Sequence, residues 1–119
     1  MTEIHVDGAS VRFEVFGLTN AETVIDDLTV PLANVVSAKT EPGALHRWSG
    51  LRTPGAIVSD ALKSGVYLSR GKASFWDVHK GGRAICVTLQ GVRFSEIVVD
   101  VKDPERAVSE LVAALDHAR

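Results

Sequence analysis

Residues that could carry out catalysis or bind a metal are few and are scattered along the chain. The four histidines lie in separate segments, and no two of them have the HxxxH or HxH spacing of metal ligands. They are His5, His46, His79 and His117. No serine lies in the GxSxG sequence that is typical of many hydrolase nucleophiles. The sequence therefore predicts no catalytic residue, no metal site and no cofactor.

The single cysteine, Cys86, lies in the apolar run from Ala84 to Leu89. This composition predicts a β-strand, and a free cysteine within a strand is most often buried. We expect an inert thiol and not a nucleophile, because reactive cysteines need partial exposure and nearby positive charge.

Asp77 and His79 form the pair closest to a chemical motif. Residues two apart in a strand lie on the same face, so the Asp77 carboxylate could orient the His79 imidazole. An exposed ion pair at a strand end explains the same pattern without any chemistry, because surface ion pairs are common and weak. We expect the exposed pair.

Four basic residues flank two turns and are candidates for binding. Arg70 and Lys72 lie at the first turn, and Lys80 and Arg83 lie at the second. Adjacent hairpins could bring both turns to one rim, and such a rim would attract an acidic partner or an anionic lipid surface. We favour the other interpretation, in which positive charge at strand ends keeps the sheet edges soluble.

Arg52 lies in the segment Gly50-Leu51-Arg52-Thr53-Pro54-Gly55, whose glycines could let backbone N–H groups approach a phosphate. A phosphate loop follows a strand and opens a helix, and neither is predicted here. We therefore expect Pro54-Gly55 to form a type II turn and Leu51 to pack inward. The Arg52 guanidinium is expected to pair with a carbonyl or a carboxylate, and only secondarily with a ligand.

The two tryptophans could lie in the core or form a contact surface. Phe75 and Trp76 point to opposite faces of one strand, so one of them is expected to face outward unless it is covered. The irregular connection of residues 41–64 is the expected cover of Trp76. Its anchors are expected to be Leu45, Trp48 and Leu51. Because large aromatic side chains are usually buried, we expect both tryptophans in the core. The candidate binding residues are thus Arg52, Arg70, Lys72, Trp76, Lys80 and Arg83.

Length and composition indicate a single globular domain over residues 1–119. The chain is 45% hydrophobic and 24% charged, which is close to the average for soluble domains. Its net charge of −2 produces no broad positive field, so we expect no nucleic-acid partner. The first residues lack the basic and apolar segments of a signal peptide, and no apolar run approaches the ~20 residues of a membrane span. We therefore expect a cytoplasmic protein.

The apolar pattern predicts a mainly β domain that also contains helices. Segments 3–6 and 11–16 are predicted to form a hairpin around Asp7-Gly8. A capping box from Thr19 to Glu22 predicts a short helix near residues 19–27. Further strands are predicted at residues 28–31, 34–39, 66–70, 73–78, 83–89 and 93–101. The last four are expected to form a meander, with a bulge near Ser95-Glu96 because the apolar parity changes there.

Two helical features are predicted in the rest of the chain. A single turn is expected over residues 44–48. Asp103 and Pro104 are typical of an N-cap and a first helical residue, so a helix is predicted to follow them. Its apolar stripe comprises Val108, Leu111, Val112 and Leu115.

Several stretches carry a resemblance to a known family. They are Leu18-Thr19 with Glu22, residues 28–32 with Val35, residues 50–55, residues 75–78, and residues 97–101 with Asp103-Pro104-Glu105. Together with the order of elements from Val11 to Leu115, they resemble the bacterial pleckstrin-homology-like (PH-like) domains, a family of small uncharacterised proteins. The resemblance implies a strongly bent antiparallel barrel of about seven strands, with one end plugged by the C-terminal helix.

The resemblance also implies binding or assembly and no catalysis. Eukaryotic relatives bind phosphoinositides through a basic motif between their first strands, but residues 17–22 contain no lysine or arginine here. We therefore expect a non-enzymatic protein-interaction or assembly module, whose exposed strand edge pairs with a partner or with another copy. The alternative is a binder of a small ligand or an anionic lipid surface through the basic rim and the 41–64 connection, with peripheral membrane contact as the less favoured form.

Overall fold

The computed structural model describes residues 1–16 and 24–118 of the chain. These residues form ten β-strands in two sheets and one C-terminal α-helix. The mainly β architecture predicted from the sequence is therefore confirmed. In the described part of the chain, no helix is long and apolar enough to cross a membrane.

The first sheet has three antiparallel strands in the order β1-β2-β3. Their bounds are Thr2–Asp7 for β1, Ser10–Phe16 for β2 and Val24–Pro31 for β3. The predicted hairpin around Asp7-Gly8 is confirmed, and Gly8 adopts a left-handed φ of 57° in its turn. Val11, Phe13 and Val15 of β2 alternate inward and are buried, as one face of a half-buried strand requires.

The short helix predicted near residues 19–27 is wrong over residues 24–27, which belong to β3. Residues 19–23 lie outside the described residues. β3 pairs along β2 with Phe13 opposite Leu28 and Glu14 opposite Asp27. The spacing of apolar residues in this segment fits a helix locally, but β2 needs a ladder partner. Long-range pairing therefore overrides the local preference.

The second sheet has seven strands. Their bounds are Val35–Thr40 for β4, Leu51–Arg52 for β5, Ile57–Val58 for β6, Leu62–Ser69 for β7, Lys72–His79 for β8, Ala84–Leu89 for β9 and Phe94–Asp100 for β10. The order is β4-β9-β10-β8-β7-β5, and β6 also pairs with β7. The ladder ends at β4 and β5 and does not close, so the expected barrel of about seven antiparallel strands is not what the sheets form.

The expected meander of the last four strands is also wrong, because β10 lies between β8 and β9 and runs parallel to β8. The link of residues 80–83 steps over the end of β10, a distance of two strand spacings or about 10 Å. Gly82 lies against the Asp100 carboxylate, where a Cβ atom would come within 2.2 Å of Oδ2. Lys80-Gly81-Gly82 has the composition of a hairpin turn, but it connects strands that are not neighbours.

The bulge predicted near Ser95-Glu96 is confirmed, because the pairing of β10 with β8 shifts between Phe94 and Glu96. Beyond it, Ile97 and Val99 face the main core, whereas Val98 faces the other side of the sheet. The central strands are thus apolar on both faces, as expected for a sheet that is covered on both sides.

The helix α1 spans Pro104–Ala118 and begins where the sequence predicted. The Asp103 carboxylate accepts a hydrogen bond from the Arg106 N–H at 3.2 Å, so the predicted cap is confirmed. Leu111 and Leu115 are buried in the main core between the two sheets, whereas Val112 of the predicted stripe is exposed. α1 packs on β4 and β9 and closes one side of this core.

Candidate functional site

The second face of the large sheet is covered by the 41–64 connection, as predicted. A single 3₁₀ turn at Ala44–His46 confirms the expected helical turn. Beneath the connection lies Trp76, whose ring is fully buried and whose Nε1 donates to Ser74 Oγ at 2.9 Å. Tyr67 packs edge-on against Trp76 with ring centroids 6.2 Å apart. Trp76 is therefore a core residue, and its ring presents no surface to a ligand.

Two cations hold the connection over Trp76. The Arg47 guanidinium lies 4.7 Å from the ring centroid, and Lys63 Nζ lies 5.2 Å from it. Lys63 Nζ donates to the Arg47 carbonyl, and Arg47 bridges Glu41 at 2.8 Å and Glu96. Burial lowers the pKa of Lys63, and the neighbouring Arg47 lowers it further. Burial also acts to lower the pKa of Arg47, but its acidic partners outweigh this effect, so its pKa is raised.

Cys86 lies on the same covered face and is buried, as predicted. Its Sγ atom lies 3.3 Å from Glu96 Oε2. Burial and the adjacent Glu96 carboxylate raise the pKa of the thiol to about 11. The thiol is therefore protonated near neutral pH and makes a poor nucleophile.

The four basic residues that one rim could have combined lie at two opposite ends of the sheet, so the hypothesis of a single basic rim is wrong. Arg70 and Lys72 lie at the start of β8, whereas Lys80 and Arg83 follow its end. An eight-residue strand spans about 25 Å. The turn that precedes a strand and the turn that follows it necessarily lie at the two ends of that strand. Arg83 at the far end donates to the Lys102 carbonyl at 3.1 Å.

At the near end, the fold adds a third cation that the sequence did not indicate. β10 runs parallel to β8 with Phe94 opposite Ala73, so Arg93 and Lys72 stand side by side where the two strands begin. The Arg93 guanidinium stacks 4.8 Å from the Phe94 ring centroid. Arg93 is recognised as a site residue only from the parallel register of β8 and β10, which the order of residues in the chain does not reveal.

A cavity of about 380 Å³ opens at this end of the sheet, and we call it the basic groove. It is lined by Trp48, Ser49, Ser69, Arg70, Lys72, Ser74, Thr88, Leu89, Ser95 and Glu96. Arg93 lines the adjoining cavity, which shares Lys72 and Ser95 with the groove. The lining of the basic groove thus combines cations, hydroxyl groups and one aromatic ring.

The Trp48 side chain is 71% exposed in the wall of the groove, so the expectation that it lies in the core is wrong. Leu51, another expected anchor, is 69% exposed. Leu45, the third expected anchor, does pack against the cluster around Trp76, together with Ala44 and Ala56. Arg47 and Lys63 lie over the Trp76 ring.

Arg52 lies on β5 and is exposed, without a hydrogen bond or ion pair to any described residue. The expected pairing of its guanidinium with a carbonyl or a carboxylate is therefore absent from the described residues. The predicted type II turn is confirmed: Gly55 has a φ of 87°, and the Ala56 N–H donates to the Thr53 carbonyl at 3.0 Å.

Three exposed apolar residues share one face of the sheet beside β7. Leu51 lies opposite Leu68, and Ile57 lies opposite Ser64. Because Ser64 and Leu68 are four residues apart on β7, all of these side chains project to the same side. Leu51, Ile57 and Leu68, which we call the β7 face, are 69%, 51% and 47% exposed. They extend the sheet surface beyond the part that the core covers.

The Asp77–His79 pair is not the exposed ion pair that we expected, because both of its carboxylate neighbours are buried. His79 Nε2 lies 3.7 Å from Asp77 Oδ1, and Nδ1 lies 3.1 Å from Asp100 Oδ2. Asp100 Oδ2 also accepts from the His79 backbone N–H at 2.7 Å. Burial raises the pKa of Asp100, although the His79 hydrogen bonds act against it. The sequence did not indicate Asp100, which reaches His79 only because β10 lies beside β8.

A cluster on the outer face of the first sheet was also missed. Glu3 and Glu14 are cross-strand partners, and His5 Nε2 lies 2.5 Å from Glu14 Oε1. The three side chains offer ligand atoms within 4.8 Å of one another. Arg12 donates to Glu14 at 2.8 Å and to Asp27 at 2.9 Å, which places a positive charge beside them. This charge disfavours a divalent cation, and the group is best described as an ion-pair network.

Comparison of the chain with protein-family models, with curated proteins and with solved structures found no match. The features of the described residues that bear on function are therefore the basic groove and the β7 face.

Proposed function

We propose that this chain is a non-enzymatic interaction domain that pairs with a second copy of itself through the β7 face. The observation that carries this proposal is the exposure of Leu51, Ile57 and Leu68 side by side on one surface. Single exposed apolar residues are ordinary, but an adjacent group on a sheet face is typical of a contact surface.

The backbone beside this face supports the same proposal. β5 and β6 both hydrogen-bond to β7, and among the described residues no further strand lies beyond them. Their outer N–H and C=O groups are thus available to a strand from another chain. A second copy satisfies these groups and covers the apolar face at once, because a two-fold interface places the same patch on both sides.

The proposal includes no catalytic step. Cys86 is buried and its pKa is about 11. His79 lies between two buried carboxylates, one of which also accepts from its own backbone N–H. These contacts support a structural role for His79 at the link of residues 80–83.

A relationship to PH-like domains is part of the proposal. It is supported by the β-rich order of elements that ends in the capped helix α1. The parallel pairing of β8 with β10 departs from the antiparallel barrel which that resemblance implies.

Sedimentation velocity over a range of concentrations tests the self-association. We expect the wild-type chain to shift from monomer to dimer as its concentration rises. Leu68→Glu should weaken the dimer by about tenfold or more, because it places two like charges in an apolar contact. Val112→Glu is the matched control, since Val112 is 41% exposed on α1, away from this face.

Circular dichroism of both variants establishes that they are folded. A wild-type chain that stays monomeric at every concentration would overturn the proposal. Equal dimerisation of the Leu68 and Val112 variants would overturn the assignment to the β7 face.

A further inference from the structure

We infer that the basic groove is a binding site for a small anionic ligand that carries a phosphate group attached to a planar ring. The site is separate from the β7 face. It rests on four features of the lining: clustered cations, hydroxyl donors, a carboxylate that is already paired, and an exposed indole.

The cations are brought together by the parallel pairing of β8 and β10. Neighbouring strands lie about 4.8 Å apart, and Phe94 pairs with Ala73, so Arg93, just before β10, lies at the level of Lys72, the first residue of β8. Arg70 precedes Lys72 across the tight β7–β8 turn and adopts a left-handed φ of 54°. It is the one non-glycine residue with a positive φ among the described residues. Arg70 and Gly71, which has a φ of 76°, form the two-residue loop between Ser69 and Lys72, and a hairpin loop of this kind requires a positive φ at both positions.

Hydroxyl groups provide donors of the kind that bind phosphate oxygens. Ser49 lines the groove, is only 8% exposed, and makes no hydrogen bond to any described residue. Ser74 accepts from Trp76 Nε1, which leaves its own proton available for donation. Because the Ser49 Oγ atom is accessible in the groove, its hydroxyl can donate to a ligand oxygen there.

The one acidic residue in the lining does not cancel this positive charge. Glu96 Oε1 is held by the Arg47 guanidinium, and Oε2 lies 3.3 Å from the Cys86 thiol. Both oxygens are thus engaged on the covered side of the sheet. The charge that lines the groove comes from Arg70 and Lys72, and Arg93 adds a positive charge in the adjoining cavity.

Trp48 supplies an aromatic wall. Its indole is 71% exposed, although tryptophan is highly buried on average. An exposed ring beside clustered cations fits a ligand with a planar ring, which stacks on the indole while its phosphate meets the guanidinium and ammonium groups. The volume of about 380 Å³ is near the lower end of ligand pockets, so the site suits one ring system and one phosphate.

Titration of the ¹⁵N-labelled chain with adenosine monophosphate, followed by two-dimensional NMR, tests this inference. The two tryptophans give two indole N–H signals, which Trp48→Phe assigns. We expect a saturable shift of the Trp48 indole and of the Ser69 and Arg70 amides, with the Trp76 indole unchanged. Adenosine without phosphate, and inorganic phosphate without the ring, should each bind at least about tenfold more weakly.

Matched variants locate the site. Arg70→Gln with Lys72→Gln should weaken adenosine monophosphate binding by about tenfold or more. Lys80→Gln with Arg83→Gln removes the same charge from the opposite end of β8 and should leave binding within about twofold. Arg93→Gln should weaken binding by about threefold to tenfold, since Arg93 lies beside Lys72.

Three results would overturn the inference. The first is a titration without saturable shifts, and the second is equal weakening by the two double variants. The third is flotation of the chain with phosphatidylglycerol vesicles without shifts from adenosine monophosphate, which would assign the anion to a lipid headgroup instead of a soluble ligand.

Discussion

Replacing Gly82 with alanine tests the crossing of the 80–83 link over β10. A Cβ atom at this position would lie 2.2 Å from Asp100 Oδ2 and 2.6 Å from Oδ1, which is far inside contact distance. The carboxylate is not free to swing aside, because its Oδ2 accepts from the His79 N–H at 2.7 Å. Either the link moves away from the sheet or Asp100 loses this hydrogen bond.

Both responses destabilise the fold. Inserting a methyl group into a packed region costs about 1–3 kcal/mol. Losing a buried hydrogen bond to a carboxylate costs about 1–3 kcal/mol. Since one response or the other occurs, we expect Gly82→Ala to lower the free energy of unfolding by about 1–3 kcal/mol. For a chain of this length, this corresponds to a fall in Tm of about 5–10 °C.

Urea denaturation followed by circular dichroism measures the effect, with Gly43→Ala as the control. Gly43 has a φ of −98°, and an added Cβ there would meet no atom within 4 Å, so its replacement should change stability by less than about 0.5 kcal/mol. In the background of Asp100→Ala, the Gly82 substitution should lose most of its cost, because the clash partner is gone. The crossing of the 80–83 link over β10 would be refuted if Gly82→Ala left the free energy of unfolding unchanged. It would also be refuted if Asp100→Ala did not reduce the loss of stability that Gly82→Ala causes.

Two further predictions concern buried and exposed side chains of the second face. Trp76→Ala should lower the free energy of unfolding by about 3–5 kcal/mol, whereas Trp48→Ala should change it by less than about 0.5 kcal/mol, since Trp48 is exposed; thermal denaturation checks both, and equal losses would contradict the assigned burial. Cys86 should react with a disulfide reagent at pH 8 at least about a hundredfold more slowly in the folded chain than in urea, because a pKa of about 11 reduces its thiolate by that factor. Fast labelling of the folded thiol would show that it is accessible.

The features that the sequence predicts correctly are those decided by nearby residues. Asp103 and Pro104 define the start of α1, because capping involves only the first turn of a helix. The change of apolar parity near Ser95-Glu96 locates the bulge, because parity is a property of one strand. Turn residues locate the first hairpin and the Pro54-Gly55 turn in the same way.

The failures concern strand order, which nearby residues do not determine. Residues 80–83 carry the signature of a turn, but nothing in them shows that β10 will lie between β8 and β9. In residues 24–27 the spacing of apolar residues is typical of a helix, but the segment is extended in the fold because it pairs with β2. Trp48 and Trp76 are the same residue type, but the connection covers Trp76 and leaves its own Trp48 exposed, because burial depends on where the connection crosses the sheet.

The candidate site is more affected by these failures than the fold is. Arg70 and Lys72 could be recognised together because one tight turn joins their strands. Arg93 and Ser49 are more than twenty residues from them in the chain and reach the same end of the sheet only through strand order and the path of the 41–64 connection. When several strands and loops contribute to a binding site, each error in the predicted strand pairing therefore also misplaces residues of the site. The tests of Gly82 and Arg93 are linked for this reason: both depend on β10 lying beside β8, one through stability and the other through binding.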